Sequence, residues 1–158
     1  MFSFFKKRET FAVSAPIKGK LINLEDVNDE VFSQKMMGDG FAVIPENDET
    51  VVAPISGTIE MIPDTKHAVG IKNDNGVEVL VHIGLDTVDL QGQGFTAFVK
   101  KGQKIKRGDK LIKFDAKFME EKKIGMPVMT IFTSGYDKEV KPLKEYGSTV
   151  APNDILLN

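Results

Sequence analysis

No cysteine occurs anywhere in this sequence. That removes thiolate nucleophiles, disulfides and every cysteine-based metal site at once, and it suits a reducing, cytoplasmic setting. Tryptophan is also absent, and histidine occurs only twice, as His67 and His82. Charge of one sign is lacking too: 21 Lys and Arg stand against 23 Asp and Glu, for a formal net charge of -2. Without a basic surplus the chain has no general grip on phosphodiesters, so nucleic acid is not an expected partner. No apolar run approaches the roughly 20 residues that a membrane-spanning helix requires. The first residues, Met1-Phe2-Ser3-Phe4-Phe5-Lys6-Lys7-Arg8, place the cations after a short apolar stretch, the wrong order for an export signal. They read as a flexible tail over residues 1–12, able at most to touch an anionic membrane weakly.

What remains is a chain of 158 residues punctuated by Gly, Pro, Asn and Asp every few positions, with short intervals rich in Val, Ile, Thr and Phe. That spacing predicts many short strands, hence an all-β antiparallel sandwich or barrel. Two stretches predict short capped helices instead. One is Asp29 to Met37, with Val31, Phe32, Met36 and Met37 as its apolar residues. The other is Asp115 to Lys123, capped by Asp115 and stopped by Gly125 and Pro127.

Self-comparison shows a duplication. Ala15-Pro16-Ile17-Lys18-Gly19-Lys20-Leu21 recurs as Ala53-Pro54-Ile55-Ser56-Gly57-Thr58-Ile59. Gly102 to Leu111 recurs as Gly147 to Leu156, with Asn153 in the place of Gly108. Asn and Gly are the residues that best tolerate a left-handed backbone, so a shared turn is expected there. Two interleaved copies of this kind resemble the barrel-sandwich hybrid of biotinyl and lipoyl carrier domains. The Met-Lys-Met or Asp-Lys-Ala hairpin tip that would carry such a prosthetic group does not occur.

The chemistry centres on the run Gly76 to Val88. Alternation places Val77, Val79, Val81 and Ile83 on one face and Glu78, Leu80 and His82 on the other. Gly84 follows, and its lack of a side chain is expected to leave room for a partner's approach to the imidazole. His67 shares parity with Thr65, Val69 and Ile71, and the turn Lys72-Asn73-Asp74-Asn75-Gly76 predicts a hairpin joining the two segments. A hairpin centred near residues 74 and 75 pairs residues whose numbers sum to about 149. His67 and His82 are then cross-strand neighbours, roughly 4.5 to 7 Å apart at Cβ.

Several uses of such a pair stay open on residue grounds. The histidines could be structural. They could hold a catalytic zinc with Asp86 or Glu78 as the third ligand. Serine-based catalysis lacks its Gly-x-Ser-x-Gly elbow. Phosphoryl transfer through an imidazole needs a neutral ring, and near pH 7.4 an unperturbed histidine is roughly nine-tenths neutral. The cations Lys100, Lys101, Lys104, Lys106, Arg107 and Lys110 are expected to be a solvated face.

The run Gly76-Val77-Glu78-Val79-Leu80-Val81-His82-Ile83-Gly84-Leu85-Asp86-Thr87-Val88 resembles the active-site signature of the glucose-type enzyme IIA of the bacterial phosphoenolpyruvate-dependent sugar phosphotransferase system. The resemblance continues through Glu25-Asp26-Val27, Gly38-Asp39-Gly40, Val52-Ala53-Pro54, Thr65 with His67-Ala68, Gly94-Phe95 and Gly108-Asp109; Lys66 and Gly70 depart from it. It implies one such domain over residues 13–158, a compact β-sandwich, acting as a cytoplasmic monomer. It implies that His82 accepts a phosphoryl group from the phosphocarrier protein HPr at Nε2 and passes it to an enzyme IIB domain. By the same resemblance His67 steadies the transferred group, Thr65 orients His67, and Asp39 and Asp86 meet a basic residue of HPr. No cofactor is required, although His67 and His82 could share a zinc ion with a partner's carboxylate. Without a metal, stabilisation of the phosphoryl group is expected from His67, Thr65 and backbone N–H groups near Gly84, with the other ring nitrogen of His82 held by a carbonyl.

Overall fold

A computed structural model describes residues 10–158. Most of the expected tail, including Phe2, Phe4, Phe5 and its cations, therefore lies outside the described residues. Phe11 is already packed on the core and stacks on Tyr136 at 6.1 Å between ring centroids, so the folded part begins before residue 13.

Thirteen strands follow in chain order: β1 (Val13–Ser14), β2 (Gly19–Asn23), β3 (Asp39–Pro45), β4 (Thr50–Val52), β5 (Gly57–Met61), β6 (Ala68–Lys72), β7 (Glu78–Ile83), β8 (Phe95–Ala97), β9 (Lys104–Ile105), β10 (Lys110–Phe114), β11 (Val128–Ser134), β12 (Thr149–Val150) and β13 (Ile155–Leu157). All pairings are antiparallel. The strands form an eight-stranded sheet of order β12-β2-β3-β11-β7-β6-β5-β9, a three-stranded sheet β4-β10-β8 and the pair β1-β13. This is the all-β sandwich that the strand spacing predicts. Among the described residues no helix is long and apolar enough to cross a membrane.

The order of the large sheet is symmetric about the seam between β7 and β11, and the hydrogen bonds show that the duplication is real. Ser14 N–H donates to the Pro54 carbonyl at 2.9 Å and Val52 N–H to the Pro16 carbonyl at 2.8 Å, equivalent bonds of the two copies. Gly102 N–H reaches the Ile59 carbonyl at 2.8 Å, and Gly147 N–H reaches the Leu21 carbonyl at 2.7 Å. In both copies an aspartate closes the following turn: Asp109 Oδ2 accepts from Lys106 N–H and Asp154 Oδ2 from Ala151 N–H, each at 2.8 Å. One expectation fails here. Gly108 has φ +94, but Asn153 does not take positive φ, so the turns share hydrogen bonds and not the left-handed residue.

Two apolar clusters flank the large sheet. The main one takes Val79, Val81 and Ile83 from β7 and Val77 just before it, as alternation predicts. A smaller one covers the opposite face with Leu24, Val27, Phe32, Ala42, Ala68, Leu80, Met129 and Ile131. Its lid comes from the segment between β2 and β3, where α1 (Glu30–Ser33) begins at Asp29, whose carboxylate accepts from Val31 N–H at 3.0 Å. This helix is a single turn, shorter than expected, because Lys35 takes φ +58 and ends it. Only Phe32 of its apolar residues is buried; Val31, Met36 and Met37 are exposed. The second helix, α2 (Ala116–Glu121), forms as expected, with Asp115 accepting from Phe118 N–H at 3.0 Å and Met119 buried.

Candidate active site

The hairpin β6–β7 brings the two histidines together, by a route that differs from simple cross-strand pairing. Its ladder pairs Ala68 with His82 and Val69 with Val81, so paired residues sum to 150, one more than expected. The turn explains the shift. Asn73 N–H bonds the Val77 carbonyl at 2.8 Å, Gly76 takes φ +86, and Asn73 Oδ1 accepts from Asn75 N–H at 2.9 Å. A three-residue loop closed by a left-handed glycine therefore sets the register. With that register His67 lies outside β6, and the parity that places it with Val69 and Ile71 does not hold. Those two side chains enter the main core, whereas Lys66 at φ +56 breaks the alternation before His67. The His67 and His82 rings meet nearly edge to face, 5.1 Å between centroids at 78°.

The two imidazoles have unequal surroundings. His67 Nδ1 lies 2.7 Å from Thr65 Oγ1. Burial lowers the His67 pKa below its ordinary value. His82 sits deeper, with the Phe32 ring 4.6 Å away between centroids. Burial, and then the neighbouring His67, push its pKa down to about 4, although the backbone of Gly84 and the charge of Asp29 act in the opposite sense. His82 Nδ1 is buried and makes no hydrogen bond of full geometry. A backbone group that favours the protonated ring must act as an acceptor, and the Gly84 N–H is already donated to the Pro127 carbonyl at 2.9 Å. The Gly84 backbone thus lies close enough to favour a protonated His82 ring, without a hydrogen bond to Nδ1.

Other expected roles change. Gly84 is buried, and a Cβ there would lie 2.6 Å from Thr87 Cγ2 and 2.7 Å from Met126 Sδ, so its missing side chain gives no opening for a partner. Its φ of +79 is what calls for glycine. The backbone N–H groups of Ile83, Gly84 and Leu85 are bonded to the carbonyls of His67, Pro127 and Gly125 at 2.8, 2.9 and 2.9 Å, so none of the three is free to hold a phosphoryl oxygen. Asp39 is engaged inside the chain: it is 3.3 Å from Lys35 Nζ and accepts from Gly40 and Val140 N–H at 2.8 and 3.2 Å. Register places it three residues along β3 from Ala42, which is level with His82 across β11, hence about 10 Å away along the strand. Asp86 is exposed, at φ +56, and makes no capping bond. Phe32 of α1 and its cap Asp29, not singled out from the sequence as site residues, act on His82; the sequence places the cap one residue earlier, at Asn28.

Among the described residues no third metal ligand joins the histidines. Among the described residues no group of three or more His, Asp or Glu could hold a metal, and Glu78 lies at the far end of β7, opposite Lys72. A catalytic zinc site built from Asp86 or Glu78 is thus not formed.

Comparison with known proteins places this geometry in a family. The family described as phosphoenolpyruvate-dependent sugar phosphotransferase system, EIIA 1, matches residues 11–137. The chain is 47% identical over 155 residues to the glucose-specific EIIA component of Oceanobacillus iheyensis, covering 96% of this chain and 93% of that one. It is 46% identical over 147 residues to the beta-glucoside-specific EIIBCA component of Bacillus subtilis, covering 92% of this chain and 24% of that longer one. The solved structure of glucose permease IIA from Mycoplasma capricolum superposes with a TM-score of 0.83 at 39% identity, over 99% of this chain and 98% of that one. The chain is therefore a member of the EIIA 1 family of the phosphoenolpyruvate-dependent sugar phosphotransferase system.

Proposed function

We propose that this EIIA component carries a phosphoryl group on Nε2 of His82, taking it from phospho-HPr and passing it to an enzyme IIB domain that serves sugar uptake in the cytoplasm. The observation that carries the reading is a pair of imidazoles 5.1 Å apart, both with lowered pKa, of which His82 has Nδ1 buried against the Gly84 backbone. A ring protonated on Nδ1 keeps the Nε2 lone pair free at neutral pH. That lone pair forms the new N–P bond as the donor's bond to phosphorus breaks, and the donor's nitrogen keeps the electron pair.

His67 supplies the stabilising donor. A hydrogen bond donated by the Thr65 hydroxyl to His67 Nδ1 leaves the Nε2–H of His67 free to bond a phosphoryl oxygen. With the nearby backbone donors engaged, that bond is the principal one the chain itself offers. Exposed Asp86 fits a basic residue of the donor better than Asp39, whose charge Lys35 already meets. In complexes, the two imidazoles would supply two of the ligands a zinc ion takes, the others coming from the partner. The relatives in which EIIA is joined to EIIB and EIIC support an acceptor of that type.

Incubation with enzyme I, HPr and phosphoenolpyruvate should add one acid-labile phosphate, absent in His82→Ala. His67→Gln should accept phosphate and transfer it poorly. An unmodified wild-type chain would overturn the reading.

A further inference from the structure

The duplication provides an internal control for residues the fold does not need. Segment 98–110 and its equivalent, segment 143–155, build the same pair of turns. Gln103 N–H bonds the Lys100 carbonyl and Ser148 N–H the Glu145 carbonyl, both at 3.1 Å. Asp109 N–H bonds the Lys106 carbonyl at 2.9 Å, and Asp154 N–H the Ala151 carbonyl at 2.8 Å. Gly102 matches Gly147, and Asp109 matches Asp154. These are the residues the turns require, and both copies keep them.

The cations are kept in one copy only. Lys100, Lys101, Lys104, Lys106, Arg107 and Lys110 correspond in order to Glu145, Tyr146, Thr149, Ala151, Pro152 and Ile155. Six positive charges thus gather in one corner, opposed within the segment only by Asp109, in a chain whose net charge is -2. Five of the six are exposed and Arg107 is half-buried, and among the described residues none forms an ion pair. Phe98, 45% exposed, lies in the same corner with Lys110 Nζ 5.9 Å from its ring centroid. Strand β9 is the edge of the large sheet, three strands from β7, so the corner stands about 14 Å from the His82 strand.

We propose that this corner docks the protein on an anionic lipid surface. A dense, unpaired cation cluster with an exposed aromatic ring matches the chemistry of a bilayer carrying acidic headgroups, where each basic residue adds to binding and a ring settles at the interface. Among the described residues no row of aromatic side chains accompanies the cations as a platform for stacked bases, and the remainder of the chain is net acidic, which favours a lipid surface over nucleic acid. Docking there would leave the histidine pair free for its partners. The proposal goes beyond the phosphoryl-carrier reading and does not depend on it.

The test is co-sedimentation of the full chain with vesicles of phosphatidylcholine alone or mixed with phosphatidylglycerol, at low and at physiological salt. The variant Lys100→Glu/Lys104→Thr/Lys106→Ala carries the residues that the second copy already tolerates in the same turns. Wild type should bind the mixed vesicles only, and the variant should bind them about 100-fold more weakly. Phosphate acceptance from phospho-HPr, read separately on the same variant, should be unchanged; loss of both would point to misfolding, which circular dichroism and urea unfolding would show. A folded variant with full vesicle binding would overturn the proposal. So would equal binding to neutral vesicles, no vesicle binding by wild type, or retention of RNA in place of lipid.

Discussion

The two halves of the large sheet are alike in backbone and opposite in chemistry. Carrying the strand registers through the symmetric order, Val79 of β7 corresponds to Val128 of β11, His82 to Ile131, and His67 to Asp39. At the same place where one half presents two imidazoles, the other buries an isoleucine and holds an aspartate against Lys35. The connections differ as well. Between β2 and β3 the chain inserts residues 24–38, which form α1 and lay Phe32 over the smaller cluster; between β5 and β6 it needs only residues 62–67, which carry Thr65 and His67. The short connection adds no lid of its own, and the cover on His82 is Phe32 from the longer one. The site is thus a local departure from a duplicated frame, and the frame itself supplies rigidity.

The sharpest way to break this comparison is to make the halves alike. His82→Ile should abolish phosphate acceptance altogether while the fold persists, because the equivalent isoleucine is already accommodated in the sister strand. Its stability at neutral pH should match wild type or exceed it by about 1 kcal/mol, since a buried Nδ1 without a full partner is removed. Urea unfolding and mass spectrometry after phosphorylation read both outcomes.

The next effect is pH-dependent. His82 has its pKa lowered to about 4 in the folded chain, against about 6.5 unfolded. The unfolded state therefore binds the proton first. The contribution of neutral His82 is complete above about pH 6.5 and is lost as pH falls toward 4. Between pH 7.5 and 4 wild type should lose about 3 kcal/mol more than His82→Ile, the other titrating groups being common to both. Equal losses would show that burial of His82 carries no such penalty.

Gly84→Ala should come third, at about 2 kcal/mol of destabilisation. It combines a left-handed φ of +79 with contacts of 2.6 and 2.7 Å to Thr87 and Met126. A shift in the urea midpoint at constant slope measures it. Transfer from phospho-HPr should slow as well, because the Gly84 backbone adjoins the His82 ring. The smallest effect is expected in the sister half. Lys35→Met removes exposed ion pairs to Asp39 and Glu25 at 3.3 and 3.6 Å, and should change stability by about 0.5 kcal/mol or less while leaving phosphate acceptance intact. A marked loss of transfer in Lys35→Met would return Asp39 to the partner-binding surface.

The sequence by itself determined a good deal of this. Period-two alternation marked the core face of β7, because a strand with one face in the main core cannot hide its pattern. The Asn-Gly turn announced the hairpin, the repeated Ala-Pro-x-x-Gly strands announced the duplication, and scarcity made the two histidines conspicuous. Tertiary structure decided the rest. The hairpin register depends on one residue adopting a left-handed conformation, so a shift of one position was invisible in the spacing, and His67 reaches His82 from outside the ladder. Phe32 and Asp29 are separated from His82 by some fifty residues of chain, so only packing could bring them to it. Which backbone donors near Gly84 remain free depends on long-range partners, and the low pKa of His82 arises from burial. Local chemistry is written along the chain; burial and register are properties of the folded whole.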